Sequence, residues 1–184
     1  MTRHKPAQRP GDSGTTTLMG SHRVSKHSPV VETLGDLDEL NCLIGMMRLH
    51  LRGEAKAMAE RIQFDLFAAG ADLAACGKGE WLEGERTALL EKFMARLSAK
   101  AGAPKGFVLP GGNPASAWCH LARAVCRRTE RRVSAIHEND RPNPEVLRYL
   151  NRLSAMLFDL ARTLAGRGKE IPWRPAPPAK NRKK

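Results

Sequence analysis

The chain has 184 residues, 41% of them hydrophobic and 5% aromatic, which is enough apolar material for one domain of ordinary size. The low aromatic content and the many Ala and Leu residues favour helices over a β-sandwich, whose strands use β-branched and aromatic residues. No apolar run approaches the roughly 18 residues that cross a bilayer. Residues 1–11 lack the apolar centre of a secretory signal. We therefore expect a cytoplasmic helical protein with no membrane contact.

The net charge of +12 raises the question of nucleic-acid binding, so its distribution matters. Eight of the twelve excess positive charges lie in residues 1–10 and 174–184, and neither stretch contains an acidic residue. Proline at positions 175, 177 and 178 prevents the second stretch from continuing a helix. An excess concentrated at the ends indicates solvated tails, with contact to a polyanion as the weaker alternative.

The first 30 residues are rich in Gly, Ser, Thr and Pro, which predicts a loop. Five segments with helical periodicity follow, beginning near residues 31, 54, 83, 114 and 144. Pro114 suits a first helical turn, and Asn143 before Pro144 is typical of a helix N-cap. The sequence predicts an all-α fold, a five-helix antiparallel bundle. Its parts are an N-terminal loop, the bundle and a basic Pro-rich tail, at residues 1–30, 31–168 and 169–184.

The cysteines and histidines do not predict a metal site. None of the four cysteines forms a CxxC pair, and three of them fall within apolar helical patterns, which favours buried free thiols in a reducing compartment. The six histidines have no ligand-like spacing. These cysteines are Cys42, Cys76, Cys119 and Cys126.

The stretch Gly11-Asp12-Ser13-Gly14-Thr15-Thr16-Thr17 combines two glycines with hydroxyl groups that can donate to phosphate oxygens. Lys26, at the end of RVSK, can add a positive charge. The stretch is not a Walker A loop, because no strand precedes it and no GK[ST] closes it. A phosphate-binding loop and a merely flexible loop both remain open from the residues alone.

The fourth helical segment carries arginines at helical spacing. Arg123, Arg127 and Arg131 share one face, with Arg128, Arg132 and Glu130 nearby. Like charges on one face repel unless an anion or an acidic neighbour neutralises them. The pattern fits a phosphate site, and a solvated basic face is the alternative.

Three further residues are candidates for special roles. Asp38 lies beside an apolar stripe and needs either solvent or a partner such as Arg123 across the bundle. Asn151 interrupts another stripe, so it meets a ligand or satisfies a buried group. Phe107 begins an apolar loop, residues 107–112, which is either a packed connection or a lid over an apolar ligand.

The order of these motifs resembles a known family. GDSGTTTL, RVSK, VETLGDLDELN, FVLPGG, HLARAVCRRTERR and YLNRLS, in this order, are similar to the trimeric ATP:cob(I)alamin adenosyltransferases of the PduO type. The resemblance extends over roughly residues 11–164. It implies that the 5′-deoxyadenosyl group of ATP is transferred to cob(I)alamin or a related corrinoid, giving adenosylcobalamin and triphosphate.

The resemblance also implies a homotrimer, with MgATP bound between subunits beneath the N-terminal loop. It assigns catalytic roles to Arg127, Glu130 and Lys26. Phe107 would crowd the lower face of the corrin, and Asp38 with Arg123 would form an intersubunit salt bridge. No protein side chain binds a metal in this scheme, since Mg²⁺ arrives with ATP. The implied ATP-binding residues are Gly11, Asp12, Thr16, Thr17, Lys26, Arg127, Arg128, Glu130, Arg131 and Asn151.

The partners implied by the resemblance are a flavin-dependent reductase and an adenosylcobalamin-dependent mutase. Because Co(I) is itself the nucleophile, no Ser, Cys or His nucleophile is needed. A cobalamin escort that delivers cofactor to a mutase is an alternative, and a basic helical nucleic-acid binder is a weaker one.

Two motifs depart from the family pattern. Gln8-Arg9-Pro10-Gly11 stands where the family has Thr-Lys/Arg-Thr-Gly, and Pro10 lacks an N–H donor. Ala155 follows Ser154, where the family often has Asp.

Overall fold

The computed structural model describes residues 9–20, 23–75, 78–103, 106–140, 142–166 and 169–174, with only the backbone described for residues 137–140. Its helices begin and end close to the predicted positions, which confirms the five predicted helices. They are α1 (Pro29–Leu49), α2 (Gly53–Ala74), α3 (Gly84–Ala101), α4 (Pro114–Asp140) and α5 (Pro144–Ala165).

The predicted N-terminal loop contains a small hairpin. Strand β1 (Thr15–Thr17) pairs antiparallel with β2 (Arg23–Ser25), with Thr16 opposite Val24. Strands of three residues are too short to show a period in the sequence, so the prediction missed them.

The helices pack in the order α2, α1, α4, α5, α3. Side chains of α2 and α3 also meet, because Arg86 Nη1 lies 2.5 Å from Asp65 Oδ1. Helices α3 and α5 run parallel: Thr87 bonds Glu145 near their starts, and Ser98 bonds Asp159 further along. The prediction of an antiparallel bundle is therefore wrong for this pair, since a ring of five helices must leave one neighbouring pair parallel.

The start of α5 is fixed as its sequence predicts. The side chain of Asn143 accepts a hydrogen bond from the Glu145 amide, so it is the N-cap. Its amide group donates to Asp72 Oδ2 at 2.8 Å, and the fully buried Asp72 also accepts from the Trp81 and Leu82 amides. One carboxylate thereby joins α2, the α2–α3 connection and α5.

A second buried polar network lies in the core among apolar side chains from all five helices. Tyr149 is fully buried and donates to Asp65 Oδ2 at 2.9 Å, while Arg86 binds the other oxygen of that carboxylate. Burial and the Asp65 charge raise the pKa of Tyr149 well above its usual value, so the phenol stays a donor. Across the described ranges, every helix is too short or too polar to cross a bilayer.

The cysteines differ in exposure. Cys119 and Cys126 are fully buried, and burial raises the pKa of Cys119 to about 12 and also raises that of Cys126. Neither is therefore poised as a nucleophile. Cys42 lies on the outer face of α1 and is exposed, so the prediction of burial is wrong for this residue. Cys76 lies outside the described residues.

Candidate functional site

A cleft of about 500 Å³ lies between α4 and α5, and we name it the arginine cleft. Four arginines and a single carboxylate line it, and two of the arginines, Arg148 and Arg152, pair with Glu145 and Glu91 outside the lining. The positive charge left for a ligand is therefore mainly that of the other two lining arginines. A site of this charge attracts anions with several oxygens. Its lining residues are Arg127, Glu130, Arg131, Ser134, Pro144, Leu147, Arg148, Asn151 and Arg152.

Hydrogen bonds connect three of the residues that line the arginine cleft. Asn151 Nδ2 donates to Glu130 Oε1 at 2.8 Å, so the two candidate residues from separate motifs meet directly. Arg152 Nη1 donates to Asn151 Oδ1 at 2.7 Å, and Arg152 Nε donates to Glu91 Oε1 on α3 at 2.8 Å. The amide orientation of Asn151 is therefore set from both sides.

Arg148 and Arg152 were missed by the sequence reasoning, which singled out only Asn151 on α5. Arg148 lies three residues before Asn151, and residues at this spacing share a helix face. A search for basic residues one turn from each candidate would have found it.

Arg128 does not line the arginine cleft. It points to α1, where its guanidinium binds Asp36 at 3.1 Å and also pairs with Glu39. Arg132 joins the same cluster through Glu32 and Asp36. Successive helical residues point about 100° apart, which separates Arg128 from Arg127. The expected role of Arg128 in ATP binding has no support from this placement.

A second cleft, of about 460 Å³, is named the apolar cleft. Phe107 has 80% of its surface exposed here, so it is not a core side chain, and its ring meets Trp173 edge to face at a centroid distance of 6.4 Å. An exposed aromatic beside a cleft is available to an apolar ligand. The lining residues are Gly106, Phe107, Val108, Pro110, His120, Arg123 and Phe158.

The charged groups of the apolar cleft are perturbed. The Arg123 guanidinium lies 5.2 Å from the Phe158 ring centroid, and partial burial together with the charge of Arg127 lowers its pKa. Burial and Arg123 also lower the pKa of His120, against an opposing effect of Glu170. At both groups, burial and a neighbouring positive charge disfavour the protonated form.

The suggested pairing of Asp38 with Arg123 across the bundle is wrong within one chain. Asp38 is exposed on α1, and no ion pair joins it to any residue that the structure describes. Asp36, two residues earlier and about 200° around the helix, is buried and makes the ion pairs to α4 instead. Arg123 contacts the Phe158 ring, and no ion pair joins it to a carboxylate among the described residues.

A third cleft, of about 680 Å³, is named the N-terminal cleft; it is lined by Pro10, Gly11, Thr15, Thr16, Thr17, Arg23 and Lys26. Gly11 has a φ of +95°, and a Cβ there would lie 3.0 Å from Lys26 Nζ. Glycine therefore allows both this turn and the close approach of the lysine.

Two details of the N-terminal cleft were not foreseen. Arg23 lines it and donates to Thr15 Oγ1 at 2.9 Å. Arg23 is the first residue of RVSK, but the sequence reasoning did not single it out. Asp12, expected to bind ATP, instead accepts a hydrogen bond from the Arg9 amide at 2.7 Å and does not line the cleft. Of the departures from the family pattern, Pro10 lies in this cleft, and Ala155 is exposed and lines none of the three clefts.

Two of the three clefts are adjacent, and the third is separate from them. Arg123 in the apolar cleft and Arg127 in the arginine cleft are one helical turn apart on α4, about 6 Å along the axis. The N-terminal cleft shares no lining residue with either of them. The residues expected to bind ATP are therefore divided between two surfaces of one chain. Within the described ranges, no three His, Cys, Asp or Glu residues group as metal ligands.

Comparison with known proteins shows what the whole chain is similar to. The profile of the cobalamin adenosyltransferase family matches residues 7–164. A cobalamin adenosyltransferase of Cupriavidus metallidurans is 39% identical over 173 residues, covering 92% of this chain and 94% of the relative. A corrinoid adenosyltransferase of Bacillus subtilis is 40% identical over 164 residues, with 85% and 84% covered.

The chain is also similar in fold to a solved structure of a corrinoid adenosyltransferase. A variant of the PduO-type ATP:corrinoid adenosyltransferase of Lactobacillus reuteri, complexed with cobalamin and ATP, superposes with a TM-score of 0.81 at 28% identity, covering 91% of this chain and 94% of that one. The sequence matches and the shared fold show that the chain belongs to the cobalamin adenosyltransferase family, which makes it a corrinoid adenosyltransferase.

Proposed function

We propose that this chain transfers the 5′-deoxyadenosyl group of ATP to a cob(I)alamin-type corrinoid at sites shared between the subunits of a homotrimer. The observation that carries this proposal is the position of the apolar cleft, one helical turn from the arginine cleft. A corrin ring needs an apolar surface and a triphosphate needs arginines, and the reaction needs both substrates side by side.

The chemistry requires positioning rather than a protein nucleophile. Co(I) donates its electron pair to the 5′ carbon of ATP as the bond from that carbon to the triphosphate oxygen breaks. The products are a cobalt–carbon bond and a triphosphate that takes up the bonding electrons. Arg127 and Arg131 act by holding the departing oxygens, where bidentate guanidinium contacts stabilise the developing charge. The buried, weakly acidic thiols of Cys119 and Cys126 have no part in this step.

Glu130 and Asn151 orient the nucleotide in this proposal. Their mutual hydrogen bond and the bond from Arg152 hold both side chains before substrate arrives, which lowers the cost of ordering them on binding. Mg²⁺ is held by one or two carboxylates together with substrate phosphates, and keeps several waters. A cleft with Glu130 as its one lining carboxylate fits a metal that enters with ATP.

Phe107 serves the corrin. An exposed apolar ring at the apolar cleft can occupy the lower face of the corrin, where water or a nucleotide base would otherwise bind cobalt. Loss of that axial donor makes Co(II) easier to reduce, because the donor no longer raises the energy of the cobalt orbital that receives the electron.

The homotrimer explains why the expected ATP ligands lie on two surfaces. The N-terminal cleft of one copy, with Thr16, Thr17 and Lys26, would close over the arginine cleft of the next. Asp38 and Arg123, which lack a carboxylate–guanidinium partner among the described residues, would then pair between copies. Large apolar side chains on the outer faces of α1 and α2 would also be covered. They are Met46, Leu49, Phe64 and Phe67, which are 41%, 74%, 66% and 67% exposed.

The activity is tested anaerobically with MgATP and chemically reduced cobalamin. We expect adenosylcobalamin and triphosphate in equal amounts over many turnovers, which also separates an enzyme from an escort. Arg127→Ala should lose most of the rate. Arg96→Ala is the matched control, because Arg96 pairs with Glu54 and lines none of the three clefts. Formation of ADP and phosphate, or no adenosylcobalamin, would overturn the proposal.

The shared site is tested by mixing two inactive variants. Lys26→Ala and Arg127→Ala, coexpressed so that their subunits mix, should regain activity if one copy gives Lys26 and the next gives Arg127. Some interfaces then contain both intact residues. If one chain supplied both residues to the same site, every site would keep a defect and mixing would restore nothing. Light scattering of the mixture reports its oligomeric state.

A further inference from the structure

The loop with Phe107 has little structure of its own. Gly106, Gly111 and Gly112 all have positive φ angles, and Phe107 is mostly exposed. Such a loop buries too little surface to fix the position of an aromatic ring. What holds Phe107 in place must come from elsewhere in the chain.

Residues 169–174, which we name the C-terminal strap, bind this loop through the backbone. The Leu109 amide donates to the Ile171 carbonyl at 2.9 Å, and the Trp173 amide donates to the Phe107 carbonyl at 2.8 Å. Val108 and Pro172 form an isolated antiparallel bridge between these bonds. The strap therefore pairs with the loop as a short antiparallel strand, and its two backbone hydrogen bonds involve the residues on either side of Val108.

The strap is anchored to the bundle by a largely buried ion pair. Arg162 on α5 is 4% exposed, and its Nε donates to Glu170 Oε1 at 2.8 Å. Its Nη1 also donates to the Gly102 carbonyl at 2.8 Å. These bonds tie the strap to α5 and to the end of α3, one residue before the strap reaches the loop.

The same arginine also contacts the apolar cleft. The Arg162 guanidinium lies 5.7 Å from the centroid of the Phe158 ring, and Arg123 lies 5.2 Å from the same centroid. Phe158 and Arg123 line the apolar cleft together with Phe107. One cluster thus connects the anchor of the strap, the wall of the cleft and the loop.

We propose that Glu170 and Arg162 are positioning residues for Phe107, acting through the C-terminal strap; this rests on the proposed role of the apolar cleft as the corrin site. They touch no substrate. Their ion pair holds the strap, the strap holds the backbone of residues 107–109, and that backbone directs the ring at the corrin. The sequence prediction had placed residues 169–184 in a tail without such a role.

The test uses Glu170→Ala in the full-length protein, with Glu54→Ala as the control for loss of an acidic partner of arginine. We expect the Leu109 and Trp173 amides to exchange hydrogen about tenfold faster in Glu170→Ala. The KM for the corrinoid should rise about tenfold while the KM for ATP stays within about twofold. The four-coordinate fraction of bound Co(II), read from its absorption or circular dichroism spectrum, should fall.

Glu170→Gln keeps an oxygen acceptor for Arg162, so it should lie between wild type and Glu170→Ala in all three measurements. Unchanged amide exchange in Glu170→Ala would overturn the proposal, as would faster exchange with an unchanged Co(II) spectrum. An equal loss of ATP and corrinoid affinity would mean general destabilisation and would also refute it. If the wild type forms no adenosylcobalamin, the proposed function fails, while the exchange experiment still reports whether Glu170 holds the loop.

Discussion

Phe107→Ala separates a functional aromatic from a structural one, because the two roles predict different losses of stability. Burying a whole Phe side chain removes about 150–250 Å² from water. Phe107 is 80% exposed, so only about a fifth of this area, roughly 40 Å², is covered. At about 25 cal/mol per Å², the truncation should lower the free energy of unfolding by about 1 kcal/mol. A core Phe would cost about 3–5 kcal/mol.

Two measurements on the same protein make the comparison. Urea unfolding gives the change in stability, and anaerobic turnover is measured from Co(II) with a reductant and from Co(I) reduced beforehand. We expect turnover from Co(II) to fall much more than turnover from Co(I), with loss of the four-coordinate Co(II) spectrum. Leu109→Ala is the control, because Leu109 lies in the same loop, is 48% exposed and does not line the apolar cleft.

The reasoning would be refuted by a loss of stability near that of a core Phe together with parallel losses of both activities. A stable variant with an unchanged Co(II) spectrum would equally exclude the functional role. Either result would favour the alternative interpretation from the sequence, in which the loop with Phe107 is a packed connection.

Four other predictions follow from the structure. Arg127→Lys should lower turnover by at least about tenfold, since lysine keeps the charge but not the bidentate contact; near-normal turnover would indicate a solvated face. Asp38→Asn should weaken the proposed homotrimer, and an unchanged mass in light scattering at falling concentration would contradict this. Asp65→Ala should lower the free energy of unfolding by about 1–3 kcal/mol, because it leaves the buried Tyr149 hydroxyl without an acceptor, while Arg86 is 38% exposed and can be solvated; urea unfolding measures it. The folded state lowers the pKa of His120 from 6.5, so it favours neutral His120. Stability from this residue should be complete above pH 6.5 and decline below it, and His120→Gln should reduce that decline in thermal unfolding.

The helices were predictable because their signals are local. The apolar positions of α5 recur at helical spacing, and Asn143 with Pro144 marks its start, so neighbours in sequence decide both features. The face shared by Arg127 and Arg131 follows from the same periodicity. The meeting of Glu130 with Asn151 was implied only by the family resemblance, since helical spacing does not say which helices pack together.

The sequence alone therefore determined the five helices, the arginine face and, through the order of six motifs, the family. The tertiary structure decided the partners of each polar residue. Arg128 and Arg127 are adjacent in the chain, but one binds Asp36 on α1 and the other lines the arginine cleft. The parallel packing of α3 on α5 and the binding of Glu170 to Arg162 likewise depend on contacts between distant segments. Such contacts carry no sequence period, because they are fixed by how whole helices pack and not by the neighbours of each residue.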